Sequence, residues 1–155
     1  MKAGIQKRNQ KTMNTDSEKF ELLESLGVSS EVQQLFSEVL REDEKGRLIV
    51  DYLNEHGDVV DREVLAVLKH KLSSRGILYF SPAEPVNVRT LYISDGLMPL
   101  IFLVQRKMGR VNFDYAAFLA MGAKIDKRLL LKGVEQFPKG VKIYTVFGHS
   151  LLGRV

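Results

Sequence analysis

The chain has 155 residues, 45% of them hydrophobic, with a formal net charge of +4 and no cysteine. That length can bury one full core, or one small domain plus a helical extension, and the lack of cysteine excludes disulfides, thiolate zinc sites and cysteine nucleophiles. The longest apolar run, Leu97 to Val104, falls far short of the roughly 20 residues that span a bilayer, and the polar opening lacks the apolar segment of a signal peptide, so a cytoplasmic protein with no membrane partner is expected.

Residues 1–15, with Lys2, Lys7, Arg8 and Lys11 and little apolar periodicity, read as a disordered basic arm. Residues 16–80 read as a helical region. Phe20, Leu22, Leu23 and Leu26 precede Gly27 as a stop, and Ser29 or Ser30 then caps a helix with Val32, Leu35, Phe36, Val39 and Leu40 on one face. Leu48, Ile49 and Leu53 continue the helical spacing as far as His56 and Gly57. Asp61 is expected to cap a further helix with Val64, Leu65, Leu68 and Leu72 inside and Lys69, His70, Lys71 and Arg75 outside. Ile77 to Phe80 reads as a strand, and residues 81–87, with two prolines, as a linker.

From residue 88 the pattern alternates. Leu91, Tyr92 and Ile93 form a short strand that turns through Ser94, Asp95 and Gly96 into an apolar helix, Leu97 to Lys107, with Pro99 in its first turn. Tyr115 to Met121 is a second strand, Asp126 caps a second helix, and Val141 to Phe147 is a third strand. Strands separated by helices imply crossovers and a mostly parallel sheet, so the fold class is α/β. Asp95 then lies at the C-terminal edge of that sheet, where ligands and catalytic groups collect in open α/β folds; it is equally placed to cap the helix that follows.

Three pieces of this segment carry a resemblance: LYISDGLMPL, AAFLAMGAKIDKRLLL and VKIYTVFGHSLLGR. Together they resemble the Toprim domain of DNA primases, type IA topoisomerases and related nucleases, over residues 88–155, with the C-terminal part incomplete. The first piece looks like the family's strand followed by Thr-Glu-Gly, with Asp95 where the glutamate stands. The last has the shape of the family's strand, Asp-x-Asp and a turn ending in Gly-Arg, here Gly153 and Arg154. The resemblance implies a DNA replication or mobilisation system, acid/base work at the glutamate position and Mg²⁺ held by the two aspartates. This chain has Gly148 and Ser150 at those aspartate positions. Glycine offers no side-chain ligand and a serine hydroxyl is a poor one for Mg²⁺, so Mg-dependent catalysis is expected to be lost. No cofactor is expected, unless Asp95 retains a residual Mg²⁺ site. Whether the chain is an enzyme at all stays open.

Two other readings stand beside this one. Helix, turn, helix, strand, loop, strand is the order of a winged helix-turn-helix, with Asp61 to Ser74 as recognition helix and Ile77 to Ile93 as the wing. A protein-interaction scaffold is the other: an open apolar sheet edge suits a homo-oligomer or a larger protein partner. For DNA or RNA as partner, the candidate contacts are Lys69, Lys71, Arg75, Arg106, Lys107, Arg110, Lys127 and Arg128, with Arg89 and Lys124 nearby. His56 and His70 have no metal-ligand spacing, and adjacent His149 and Ser150 lack a third group to make a triad.

Overall fold

The computed structural model describes residues 20–65, 69–70, 76–122 and 125–146, with the backbone alone for 69–70. Two short helices open it. α1 (Glu21–Ser25) stops at Gly27, whose φ of 84° is the left-handed conformation glycine adopts without penalty. α2 (Ser30–Phe36) is capped by Ser29, whose hydroxyl accepts the Val32 N–H at 3.3 Å. Buried Gln33 ties the pair together, accepting the Phe20 N–H at 2.7 Å and donating to Val28 O at 2.9 Å.

The next segment departs from the helical expectation. Leu48–Leu53 is strand β2 and Val59–Val64 is strand β3; with β1 (Arg41–Glu42) and β4 (Lys69–His70) they form an antiparallel meander in chain order. Two turns of one kind set its registers. Asp43 Oδ1 accepts the N–H groups of Lys45 and Arg47, and Asn54 Oδ1 accepts those of His56 and Asp58. Gly46 and Gly57 stand at the same place in each turn with φ of 77° and 83°. The spacing of Leu48, Ile49 and Leu53 matches a helix, but the β-prone run Ile49, Val50, Tyr52 between two such turns pairs as a strand. Asp61 therefore lies inside β3 and not at the start of a helix. The winged-helix reading falls with it, because its recognition helix begins in a strand and β5 (Leu78–Phe80) does not pair with β6 (Thr90–Ser94) as a wing would.

The second sheet has the order β5-β7-β6-β8, where β7 is Ala116–Ala120 and β8 is Lys142–Thr145. β7, β6 and β8 are parallel, and β5 is antiparallel to β7. β5 thus belongs to this sheet, although it precedes the prolines of residues 81–87. Helix α3 (Leu97–Lys107) carries the chain from β6 to β7, and α4 (Lys127–Glu135) carries it back past β6 to β8. Right-handed crossovers that reverse direction must change face. The packing agrees: Leu97, Leu100, Ile101 and Val104 of α3 share a core with Phe80, Ala116, Phe118 and Ala120, whereas Leu130 and Val134 of α4 pack with Leu91, Ile93, Ala117 and Leu119. The fold is α/β, doubly wound around β6.

The larger core joins the two halves of the chain. Leu23, Val32 and Phe36 of the first helices, Leu48, Val50 and Tyr52 of β2, and the inner side of α3 belong to one cluster. α3 is therefore covered on nearly every side, which explains its apolar sequence; each fully buried leucine or isoleucine contributes about 2 kcal/mol. Across the sheet on the α3 face, Phe80, Phe118, Tyr92 and Tyr144 lie in direct register, with ring centroids 6.2, 5.7 and 5.6 Å apart in succession. That row begins buried at Phe80 and ends half-exposed at Tyr144.

Candidate functional site

Strands β6 and β8 are neighbours, and the helix that leaves β6, α3, and the helix that enters β8, α4, pack on opposite faces of the sheet. In an open sheet this is the topological switch point, where a crevice forms at the carboxyl ends of the strands. Asp95 follows β6 directly and lies half-buried there, while Val146, its N–H on Ile93 O at 2.7 Å, leads the chain away from β8 on the other flank. Gly148, His149 and Ser150 fall beyond Val146, outside the described residues.

Asp95 does not cap α3. The N-cap position is Gly96, without a side-chain cap, and Asp95 instead accepts the Ser94 hydroxyl at 3.1 Å. The cap comes from the other sheet. Glu63 of β3, only 2% exposed, accepts the Leu97 N–H at 3.1 Å and the Tyr52 hydroxyl at 2.6 Å. A carboxylate at a helix N-terminus is favoured by both the free N–H and the dipole. Tyr52 and Asp61 are cross-strand partners, as are Val50 and Glu63, so both buried acids sit on the face of the meander that packs towards α3. Burial, and after it the carboxylates of Glu63, Asp61 and Asp95, push the Tyr52 phenol far above its ordinary value. It stays protonated and acts as a donor.

Two glycines keep this corner tight. A side chain at Gly96 would meet Glu63 Oε2 at 3.0 Å, and one at Gly122, where φ is 82°, would meet the Tyr52 ring at 3.2 Å. Gly122 also donates its N–H to Asp95 O at 3.2 Å, joining the turns that follow β6 and β7.

These donors do not suit Mg²⁺. Asp61 accepts the Arg62 N–H at 2.7 Å and Glu63 is taken up by helix and phenol, which leaves Asp95 as the half-exposed carboxylate of the corner. Mg²⁺ needs several hard oxygens in near-octahedral array, and among the described residues no group of three or more His, Cys, Asp or Glu side chains is arranged to hold a metal. A mainly apolar groove of about 690 Å³ between β2, β5 and α4 lies away from Asp95 and shares no residue with its corner.

The expected cationic contacts do not form one patch. Lys127 and Arg128 are exposed at the start of α4, on the same edge as Asp95, and Arg128 lies 3.7 Å from Glu55. Arg106, Lys107 and Arg110 are exposed where α3 ends, at the opposite edge, and Arg110 donates to Arg106 O at 3.0 Å. Lys69 lies in β4 and not on a recognition helix; Lys71, Arg75 and Lys124 lie outside the described residues. Among the described residues β8 is the outermost strand on its side of the sheet, and its four residues are exposed.

What these features define is a class: an α/β protein with a doubly wound parallel core and an antiparallel meander that caps its central helix. Among the described residues no helix is long and apolar enough to cross a membrane. Comparison with protein-family models and with curated proteins finds no match.

Proposed function

We propose that the chain is a nucleic-acid-associated protein of Toprim type, acting in DNA replication or mobilisation in the cytoplasm, and that it works by binding without Mg-dependent catalysis. The observation that carries this reading is Asp95 at the switch point, at the end of β6, which lies between β7 and β8 as the middle of the three parallel strands. A carboxylate at that place is what the resemblance of LYISDGLMPL implies. The loss of catalysis rests on Gly148 and Ser150 at the aspartate positions of the motif and on the engagement of Glu63 and Asp61 with protein groups.

The test is the affinity of the full chain for labelled single- and double-stranded oligonucleotides as salt rises, with Mg²⁺ present and absent. The reading expects binding that weakens steeply with salt through counterion release, with no cleavage and no primer synthesis. Binding that is absent at low salt contradicts nucleic-acid association; turnover that requires Mg²⁺ and is lost in Asp95→Ala contradicts the loss of catalysis.

A further inference from the structure

The edge opposite Asp95, where the parallel strands begin, carries a different set of groups. Arg89 N–H donates to Tyr115 O at 2.8 Å, and Lys142 N–H donates to Arg89 O at 3.0 Å. Tyr115 and Arg89 are therefore neighbours at the starts of β7 and β6, in adjacent columns about 4.8 Å apart, while Lys142 opens β8 one position further on, paired with Thr90 and so on the other side of the pleat from Arg89. All three line a groove of about 720 Å³ that is closed on one side by the turn Pro138 to Val141.

The chemistry of the groove is specific. Tyr115 is 47% exposed, unusual for a residue beside a buried strand, and the Arg89 guanidinium stacks over its ring 5.2 Å from the centroid. Among the described residues no carboxylate lines the groove. Around it, at the same edge, stand Arg106, Lys107 and Arg110 at the end of α3 and Lys139 before β8, against the acids Glu84, Asp114 and Glu135. An exposed aromatic ring that shares a groove with Arg89 and Lys142 fits a nucleobase stacked on the ring with its phosphates on the cations. A duplex, whose bases are stacked inside, offers no such base.

We propose that this groove is a binding site for single-stranded nucleic acid, with Tyr115 as stacking platform and Arg89 and Lys142 as phosphate contacts. The proposal deepens the nucleic-acid reading and rests on it. It places the contact at the edge where the strands begin and not at the Asp95 edge.

The experiment compares binding of a labelled oligothymidine and a duplex of equal length by the intact chain and its variants, using fluorescence anisotropy at several salt concentrations. Tyr115→Ala should weaken oligothymidine binding about tenfold, the effect of losing one stacked base, while Tyr115→Phe retains it. Arg89→Ala and Lys142→Ala should each lower the slope of log affinity against log salt by about 0.7, one phosphate contact on a single strand. The pair Lys127→Ala/Arg128→Ala, at the other edge, should change neither quantity. Circular dichroism melts of each variant establish that it is folded, and Tyr115→Phe separates the ring from the fold. Wild-type affinity in Tyr115→Ala, a preference for duplex, or loss confined to Lys127→Ala/Arg128→Ala overturns the assignment while leaving nucleic-acid association intact. Absence of binding by the wild type to every oligonucleotide overturns both.

Discussion

The two edges of the parallel sheet divide the labour of the molecule. Where the strands end, Glu63 is buried and hydrogen-bonded into the joint between the meander, Tyr52 and α3, and Asp61 is buried on the same face of β3 and accepts the Arg62 N–H; where they begin, Arg89, Tyr115 and Lys142 line a groove and are exposed. Ligand sites of doubly wound folds sit at the first edge. Here that edge has been drawn into the core by a second sheet, and buried polar groups that must be satisfied are poor candidates for ligand binding because any ligand has to compete with the protein partners they already have. Position in a fold nominates a site; exposure and partnering decide whether it is open.

The largest effect should come from breaking the buried joint. Glu63→Ala removes the acceptor of the Leu97 N–H and of the Tyr52 hydroxyl and should destabilise by about 3 kcal/mol, combining a lost helix cap with a buried unsatisfied hydroxyl. Urea unfolding measures it. If the two edges are independent, the folded variant still binds oligothymidine with wild-type affinity.

Gly122→Ala probes the same corner through the backbone. Its φ of 82° and a 3.2 Å approach to Tyr52 predict a loss of about 2 kcal/mol from strain and displacement of the ring, read from the same unfolding curves. An unchanged midpoint would show that the corner is looser than described.

Tyr52→Phe should cost about 1 kcal/mol, the net worth of a buried hydrogen bond. The pH dependence follows from the sign of the shift. The folded phenol titrates above its unfolded value of about 10, so its contribution is full below that pH and lost as pH rises beyond it. The chain has five tyrosines, and absorbance titration of the native protein should fall short of all five, the remainder appearing only with alkaline unfolding. Ionisation of every tyrosine near pH 10 in the folded state contradicts the buried joint.

The smallest effect lies on the outer face of the meander, away from both edges. Asp51 pairs with Arg41 at 3.1 Å and Arg62 at 3.0 Å. Partial burial raises its carboxyl, but the hydrogen bonds and charges of the two arginines outweigh this and hold it below the usual range. Its contribution is thus present above pH ~4 and lost as pH falls through the depressed value. Asp51→Asn should flatten the acid limb of a stability profile by less than about 1 kcal/mol, as for exposed pairs, and leave nucleic-acid binding untouched.

Much of the second half of the chain was legible from the sequence. Helix Leu97–Lys107 announces itself by an unbroken apolar stretch after a glycine, Asp126 by its position before KRLL, and the β-prone runs around Tyr92, Phe118 and Tyr144 by their turns. The meander reads as helix because Leu48, Ile49 and Leu53 satisfy a helical spacing by chance, and tertiary pairing overrides it. The signal that distinguishes the two was present: Asp43 with Gly46, and Asn54 with Gly57, repeat one turn chemistry on either side of the β-prone run. The role of Glu63 was not legible, since nothing local marks an acid as the cap of a helix thirty-odd residues away; only the crossing of two sheets places it there. Asp95 directly follows β6, but the carboxylate that accepts the free N–H at the start of α3 is that of Glu63. Of the basic residues, Arg89 is a candidate nucleic-acid contact on charge alone, and its place beside Tyr115 emerges only from strand register.

The most direct test of the division between edges is amide chemical-shift mapping of the intact chain titrated with oligothymidine. The account predicts saturable shifts at Arg89, Thr90, Tyr115, Gly140 and Lys142 with Asp95, Gly96 and Gly122 unmoved. Shifts centred on Asp95, Gly96 and Gly122, with the groove at the start of the strands silent, would contradict it.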